Sequence, residues 1–127
     1  MTEGQKRLNE YCYKFEGLTV SENTLNHIDL LCTFTDFIIE LNDYNETELI
    51  KDIFEFLNLD FNEIESLSEL LYYNEIQYNN YKNSDEINYL IDRLFDELEK
   101  NSPNGYYFGN QEGDGACFGY WMIEGEF

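Results

Sequence analysis

Apolar residues recur with helical spacing over residues 1–101 and change to a strand-like pattern after them. The helical spacing predicts five amphipathic helices, at about 2–17, 23–42, 45–57, 62–81 and 84–101. The last has the cleanest period, since Ile87, Leu90, Leu94 and Leu98 fall on one face. The second carries the widest apolar stripe, beginning at Leu25, as a central helix would.

Cap-forming residues precede each predicted helix. The expected N-caps are Thr2 (with Gln5), Ser21 or Asn23, Asn45 (with Glu48), Asn62 (with Glu65) and Ser84. The residues between the first two helices, 18–20, are expected to form a short connector. Gly17 ends the first helix, because glycine readily takes the left-handed conformation found after helix C-termini.

The last part of the chain predicts a β-hairpin folded back on the helices. The turn sequence Ser102–Gly105 ends the helical part, and two aromatic, β-rich runs follow at 106–108 and 116–123, separated by 109–115. Gly119 lies within the second run and indicates a bulge or a close backbone approach. The pattern therefore predicts an α+β fold, with one domain over 1–127, helical at 1–101 and a hairpin at 105–123.

Charge is the feature that departs from an ordinary domain. There are 27 Asp and Glu against 7 Lys and Arg, for a net charge of −20. This balance excludes an ordinary nucleic-acid-binding domain and docking on an anionic membrane, because both require a basic face. Aromatics make up 17% of the chain, which argues against disorder. Halophilic proteins are also acidic, but the 15 Asn and many large aromatics argue against that alternative.

The acids form rows on the predicted helices without cations to balance them. No Lys or Arg occurs from Phe15 to Ile50, and only Lys51 interrupts before Tyr81. Asp29, Asp36 and Asp43 repeat every seven residues, about 10.5 Å apart along a helix. The candidate partner-binding residues are Asp29, Asp36, Glu40, Asp43, Glu48, Asp52, Glu55, Glu63, Glu65, Glu69 and Glu75.

No catalytic or metal-binding motif accompanies these acids, and we expect neither an enzyme nor a cofactor. The single histidine, His27, has no nucleophile motif with it, and no carboxylate pair stands out among so many. The Gly-rich segment 109–115 lacks the Lys and Ser/Thr of a phosphate-binding loop. A hairpin turn explains it better than the alternative of a weak divalent-cation site at Asn110, Glu112 and Asp114.

The cysteines and the lengths of the apolar stretches indicate the cellular compartment of the protein. Cys12, Cys32 and Cys117 are odd in number and lack a C-x-x-C pair, which favours reduced thiols over disulfides or zinc. No basic region followed by an apolar stretch precedes the domain, and no apolar run is long enough for a membrane span. We expect a protein of the bacterial cytoplasm.

In size, charge and absence of catalytic motifs, the whole chain resembles small acidic proteins of phages and other mobile elements. Those proteins block restriction enzymes or CRISPR nucleases by imitating DNA. The resemblance implies a stoichiometric inhibitor, either a monomer or a homodimer. Its partner would be a basic nucleic-acid-binding protein, and it would bind neither nucleic acid nor membrane itself.

The alternative is an immunity protein that neutralises a cognate toxin, often a nuclease, through the same acidic face. Either function predicts that charge reversal of Asp29, Asp36, Glu40 and Asp43 abolishes inhibition. If all four side chains are free, the reversal relieves self-repulsion and stability holds or rises.

Overall fold

The computed structural model describes residues 1–77, 85–111 and 113–123, and it shows helices packed against a three-stranded antiparallel sheet. The predicted α+β class is confirmed. In chain order the elements are α1 (Glu3–Phe15), β1 (Gly17–Ser21), α2 (His27–Leu41), α3 (Glu48–Leu57), a 3-10 turn (Phe61–Glu63), α4 (Leu67–Tyr72), α5 (Asp85–Lys100), β2 (Tyr106–Gln111) and β3 (Asp114–Met122).

The sheet has the strand order β1-β3-β2, so the hairpin gains a strand from the N-terminal part of the chain. The prediction of a connector at 18–20 was wrong, because these residues lie in β1. Leu18 pairs with Tyr120 and Thr19 with Gly119 across an antiparallel ladder. Gly119 is the close approach that its position suggested, since a Cβ there would collide with the carbonyl oxygen of Leu18.

The C-terminal hairpin is confirmed and is longer than predicted. β2 and β3 pair from Tyr106↔Met122 to Gln111↔Asp114, so most of the segment 109–115 lies in the ladder. Of the described residues, only Gly113 lies between the two strands. Trp121 reinforces the pairing by donating its indole N–H to the Gly109 carbonyl at 2.9 Å.

Aromatic rings join the sheet to the two long helices. Phe34 of α2 is completely buried and meets Phe95 of α5, Phe108 of β2 and Phe118 of β3 edge to face. The side chain of Tyr120 is also fully buried, and its hydroxyl donates to the Leu98 carbonyl at 2.7 Å. Such ring pairs add directional contacts to the burial of apolar area, which fixes α2 and α5 against the hairpin.

The helices begin at residues that only partly match the expected caps. Thr2 caps α1 as predicted, its hydroxyl accepting from the Gln5 N–H. Asn26 caps α2, in place of Ser21 or Asn23, and leaves Leu25 exposed outside the helix. Thr47 caps α3, in place of Asn45. The expected cap Ser84 lies outside the described residues.

The fourth predicted helix, at 62–81, is broken within 62–77, and its last residues, 78–81, lie outside the described residues. Asp60 caps the short 3-10 turn instead of Asn62, and α4 begins only after Ser66. The intervening Ile64 has an extended backbone. The 3-10 turn and α4 each have a capping residue of their own. Asp60 and Ser66 therefore start two separate elements instead of lying within one continuous helix.

Candidate functional site

One row of acids lies on the outer face of α3. Glu48, Asp52 and Glu55 follow one another at four and three residues, while the opposite face of this helix is buried. The side chains of Glu48 and Glu55 are exposed. The Asp52 carboxylate accepts a hydrogen bond from the Arg93 guanidinium at 2.7 Å and is therefore already paired.

A second row lies on α5 and was absent from the candidate residues. Asp85, Asp92 and Asp96 are exposed and fall on one face of the helix, together with the exposed Tyr89. The signal was present in the sequence, because the spacing of seven and then four residues places them over one another. Along the helix these carboxylates lie about 10.5 Å and about 6 Å apart.

Arg93 connects the two rows. Its guanidinium bonds to Asp52 and lies over the Tyr89 ring, 5.6 Å from the ring centre. The hydrogen bond to Asp52 raises the pKa of Arg93, and the negative charges of Asp52 and Glu48 act in the same direction. The bond between Asp52 of α3 and Arg93 of α5 joins the two helices where their acidic rows lie.

The segment 60–75 carries the third group of exposed acids. Asp60, Glu63, Glu65, Glu69 and Glu75 are all solvent-exposed. Phe61 and Asn62 line two open grooves. One, of ≈ 490 Å³, reaches Glu55 of α3, and the other, of ≈ 680 Å³, is lined by Glu65, Glu69 and Tyr44, among others.

We call these three groups together the acidic surface. It comprises Glu48, Glu55, Asp60, Glu63, Glu65, Glu69, Glu75, Asp85, Asp92 and Asp96. Lys51 and Arg93 are the cations that the sequence places within 48–75 and 85–96, and Arg93 is paired with Asp52. Seven residues of the predicted partner-binding set are exposed in the structure. Six of them belong to the acidic surface, and the seventh, Glu40, lies elsewhere.

Asp36 has a structural role, contrary to the expectation that its side chain is free. Its carboxylate accepts from the Leu67 N–H at 2.8 Å, the Ser68 N–H at 3.0 Å and the Ser66 hydroxyl at 3.1 Å. These donors form the N-terminus of α4, where the backbone N–H groups have no partner within the helix. Asp36 thus holds α4 against α2.

Asp43 and Asp29 are also engaged. The Asp43 carboxylate accepts from the backbone N–H groups of Glu3 and Gly4 at the start of α1, at 3.1 and 2.8 Å. Asp29 accepts from the Thr24 hydroxyl at 2.9 Å. Glu40 is exposed, beside α1 and away from the acidic surface. The seven-residue row on α2 is therefore no free face, and reversing all four charges would disrupt the fold.

The other residues singled out in the sequence are the histidine, the three cysteines and the Gly-rich segment. His27 is exposed at the first turn of α2, and all three cysteines are buried as free thiols. No group of three His, Cys, Asp or Glu that could hold a metal ion occurs among the described residues. At the hairpin turn, Asn110 donates to the Gly115 carbonyl and Asp114 accepts from the Ala116 N–H. Glu112, the third residue of the possible cation site, lies outside the described residues.

Burial of the thiols predicts a loss of stability at alkaline pH. Burial raises the pKa of Cys12 to about 11 and, with the charges of Asp36 and Asp29, that of Cys32 to about 12, from an ordinary 9.0. The unfolded chain ionises first, so stability is full below pH 9.0 and declines as pH rises through the raised values. Urea unfolding across this range should show a falling midpoint. A Cys32→Ala variant should show a shallower decline, and a midpoint independent of pH would contradict the burial of these groups.

No protein-family model, curated protein or solved structure matches this chain. The acidic surface is therefore interpreted from its own geometry and charge. Among the described residues, no helix combines the length and the apolar composition needed to cross a lipid bilayer.

Proposed function

We propose that the protein is a stoichiometric inhibitor of a bacterial defence nuclease of the restriction or CRISPR type. Its acidic surface occupies the basic groove through which the nuclease binds nucleic acid. The observation that carries the proposal is the acidic surface itself, in which ten exposed carboxylates are accompanied by the cations Lys51 and Arg93.

The spacing between negative charges on the acidic surface is within a small factor of the spacing along a nucleic-acid backbone. One DNA strand carries a negative charge about every 3.4 Å. The row on α5 carries one about every 6–10 Å. The row on α3 is joined to it by the bond between Asp52 and Arg93. The two rows together thus offer the Lys and Arg side chains of a basic groove a target similar to a nucleic-acid backbone.

The acidic surface lowers the stability of the fold, which favours a functional explanation for its presence. Like charges on neighbouring turns repel and lower the stability of the compact state. Solubility requires a net charge of only about 2–8 in a small domain, well short of −20. Structural roles account for five acids, namely Asp29, Asp36, Asp43, Asp52 and the cap Asp60. The other nine carboxylates of the acidic surface remain unexplained by them.

Exposed aromatic residues lie among the carboxylates. Tyr89 stands in the α5 row, Tyr44 lines the larger groove, and Tyr72 follows Glu69 on α4 with 79% of its side chain exposed. Tyrosine is enriched among the residues that dominate protein–protein binding energy. Carboxylates steer the approach to a basic partner, and these rings supply contact area once it is bound.

An immunity protein against a nuclease toxin would use the same surface in the same way. The two functions differ in the enzyme that is inhibited, so the test includes both kinds. Purified restriction endonucleases, CRISPR nucleases and bacterial nuclease toxins are titrated with the protein in a DNA-cleavage assay. Inhibition of a defence nuclease, complete at a fixed molar ratio, is the expected result.

Salt provides the accompanying physical signature. Raising NaCl from about 50 mM to about 500 mM shortens the Debye length from about 14 Å to about 4 Å. The affinity for the inhibited nuclease should then fall, mainly through a slower association rate. Inhibition of toxins alone would favour the immunity function. Catalytic turnover of a substrate, or binding unaffected by salt, would contradict the proposal.

A further inference from the structure

The outer face of α1 differs from the rest of the molecule in its charge. It carries Lys6, Arg7 and Lys14, three of the seven cations of the chain, and all three are exposed. Glu3, Glu10 and Glu16 balance them, so this face is close to neutral on a protein of net charge −20. A like-charged copy can approach here with less repulsion than at the acidic surface.

The same face exposes an aromatic ridge. Arg7, Tyr11 and Phe15 follow at four-residue spacing, and the rings of Tyr11 and Phe15 contact each other with centroids 4.5 Å apart. The two residues are 45% and 56% exposed, and the Lys14 ammonium lies 5.2 Å from the Phe15 centroid. Among the described residues, Arg7 has no ion-pair partner.

An apolar groove runs beside this ridge. It measures ≈ 210 Å³ and lies between α1, β1 and α2, with walls from Leu8, Leu18, Phe37 and Leu41. Arg7 and Tyr11 form its α1 side, and Glu40 lies at its α2 side. Arg and Tyr beside an apolar groove have the composition of a binding hot spot.

We propose that a second copy of this chain covers the α1 face, which makes the protein an isologous dimer. Charge complementarity identifies the occupant. A basic partner would favour the acidic surface over this neutral face, and the repulsion that a second acidic copy meets is smallest here. A second copy brings the same balanced set of three cations and three carboxylates, and a two-fold axis near the middle of α1 brings Lys6 of one copy opposite Glu16 of the other.

An antiparallel pair of α1 helices satisfies this symmetry. With Tyr11 at the two-fold axis, Arg7 of one copy lies opposite Phe15 of the other, because isologous contacts occur in reciprocal pairs. The guanidinium then lies against an aromatic ring, as Arg93 does with Tyr89 within one chain. The acidic surfaces, made of α3, α5 and 60–75, remain outside this contact.

Salt should affect self-association and binding to the nuclease in opposite directions. Two copies of net charge −20 repel at long range, and salt screens this repulsion, so self-association should strengthen with NaCl. Binding to a basic groove should weaken over the same range. The dimer proposal therefore stands or falls independently of the proposed function.

Sedimentation velocity of the full chain at about 100 µM, in about 50 mM and about 500 mM NaCl, tests the dimer. The unmodified protein should sediment at twice the monomer mass, with the larger dimer fraction at high salt. Tyr11→Glu should weaken self-association at least about tenfold, and Tyr11→Phe should retain it. Tyr72→Glu adds the same charge at an exposed tyrosine outside α1 and should leave the dimer intact.

Circular dichroism establishes that each variant is folded. If Tyr11→Glu disturbs α1, Arg7→Glu removes a cation from the exposed ridge without touching the core and should also dissociate the dimer. A monomer at both salt concentrations would overturn the proposal. So would a dimer that dissociates as salt rises, or one that Tyr72→Glu breaks and Tyr11→Glu does not.

Discussion

Asp36→Ala should lower the free energy of unfolding by about 2–4 kcal/mol, because three donors at the start of α4 lose their acceptor. For a domain of this size, this corresponds to a fall in melting temperature of roughly 10 °C. The effect is opposite in sign to simple relief of charge repulsion, which would stabilise the variant. Thermal and urea unfolding measure it directly.

Two companion variants make the result specific. Glu40→Ala removes the same charge one turn further along α2 from an exposed side chain, and stability should change by less than about 0.5 kcal/mol. Asp36→Asn keeps one acceptor oxygen and should lose less than Asp36→Ala. Equal stability of Asp36→Ala and Glu40→Ala would mean that the carboxylate does not hold α4 in place.

Reversing Glu48, Glu55, Asp92 and Asp96 to Lys should reduce inhibition of the target nuclease by about 100-fold or more and leave the fold intact. All four side chains are exposed, and none is an ion-pair partner of a described residue. The loss should appear first in the association rate. Inhibition titrations and unfolding curves on the same preparations separate loss of function from loss of structure.

A smaller pair of variants tests whether position matters beyond net charge. Asp92→Lys with Asp96→Lys changes the acidic surface, while Glu22→Lys with Glu40→Lys makes the same change in net charge at exposed positions outside it. The first pair should weaken inhibition at least about tenfold more than the second. Equal losses would mean that only the total charge matters, and the acidic surface would lose its assigned role.

Helical periodicity was sufficient to predict the core of the fold. Ile87, Leu90, Leu94 and Leu98 of α5 are buried as their spacing requires, and the hairpin follows from turn residues and aromatic runs. These signals are local, so one sequence contains them in full. The row Asp85, Asp92 and Asp96 is an equally local signal, but Arg93 and Lys100 on the same helix make it less conspicuous than the cation-free stretches.

β1 and the role of Asp36 could not be obtained in this way. The strand Gly17–Ser21 is short, and its partner residues lie about a hundred positions later in β3. Strand formation depends on such partners more than on intrinsic preference. Asp36 resembles any outward helical acid in sequence, and its function depends on where α4 begins in space. Carboxylates that cap another helix are therefore indistinguishable from free ones by spacing.

The most direct test of the central claim is a competition experiment with the inhibited nuclease. Labelled DNA bound to the nuclease is titrated with the protein, and the reverse titration is performed with labelled protein and unlabelled DNA. Mutual exclusion is the predicted result, with the apparent dissociation constant of each rising in proportion to the concentration of the other. A ternary complex in which both bind without weakening each other would contradict occupation of the basic groove.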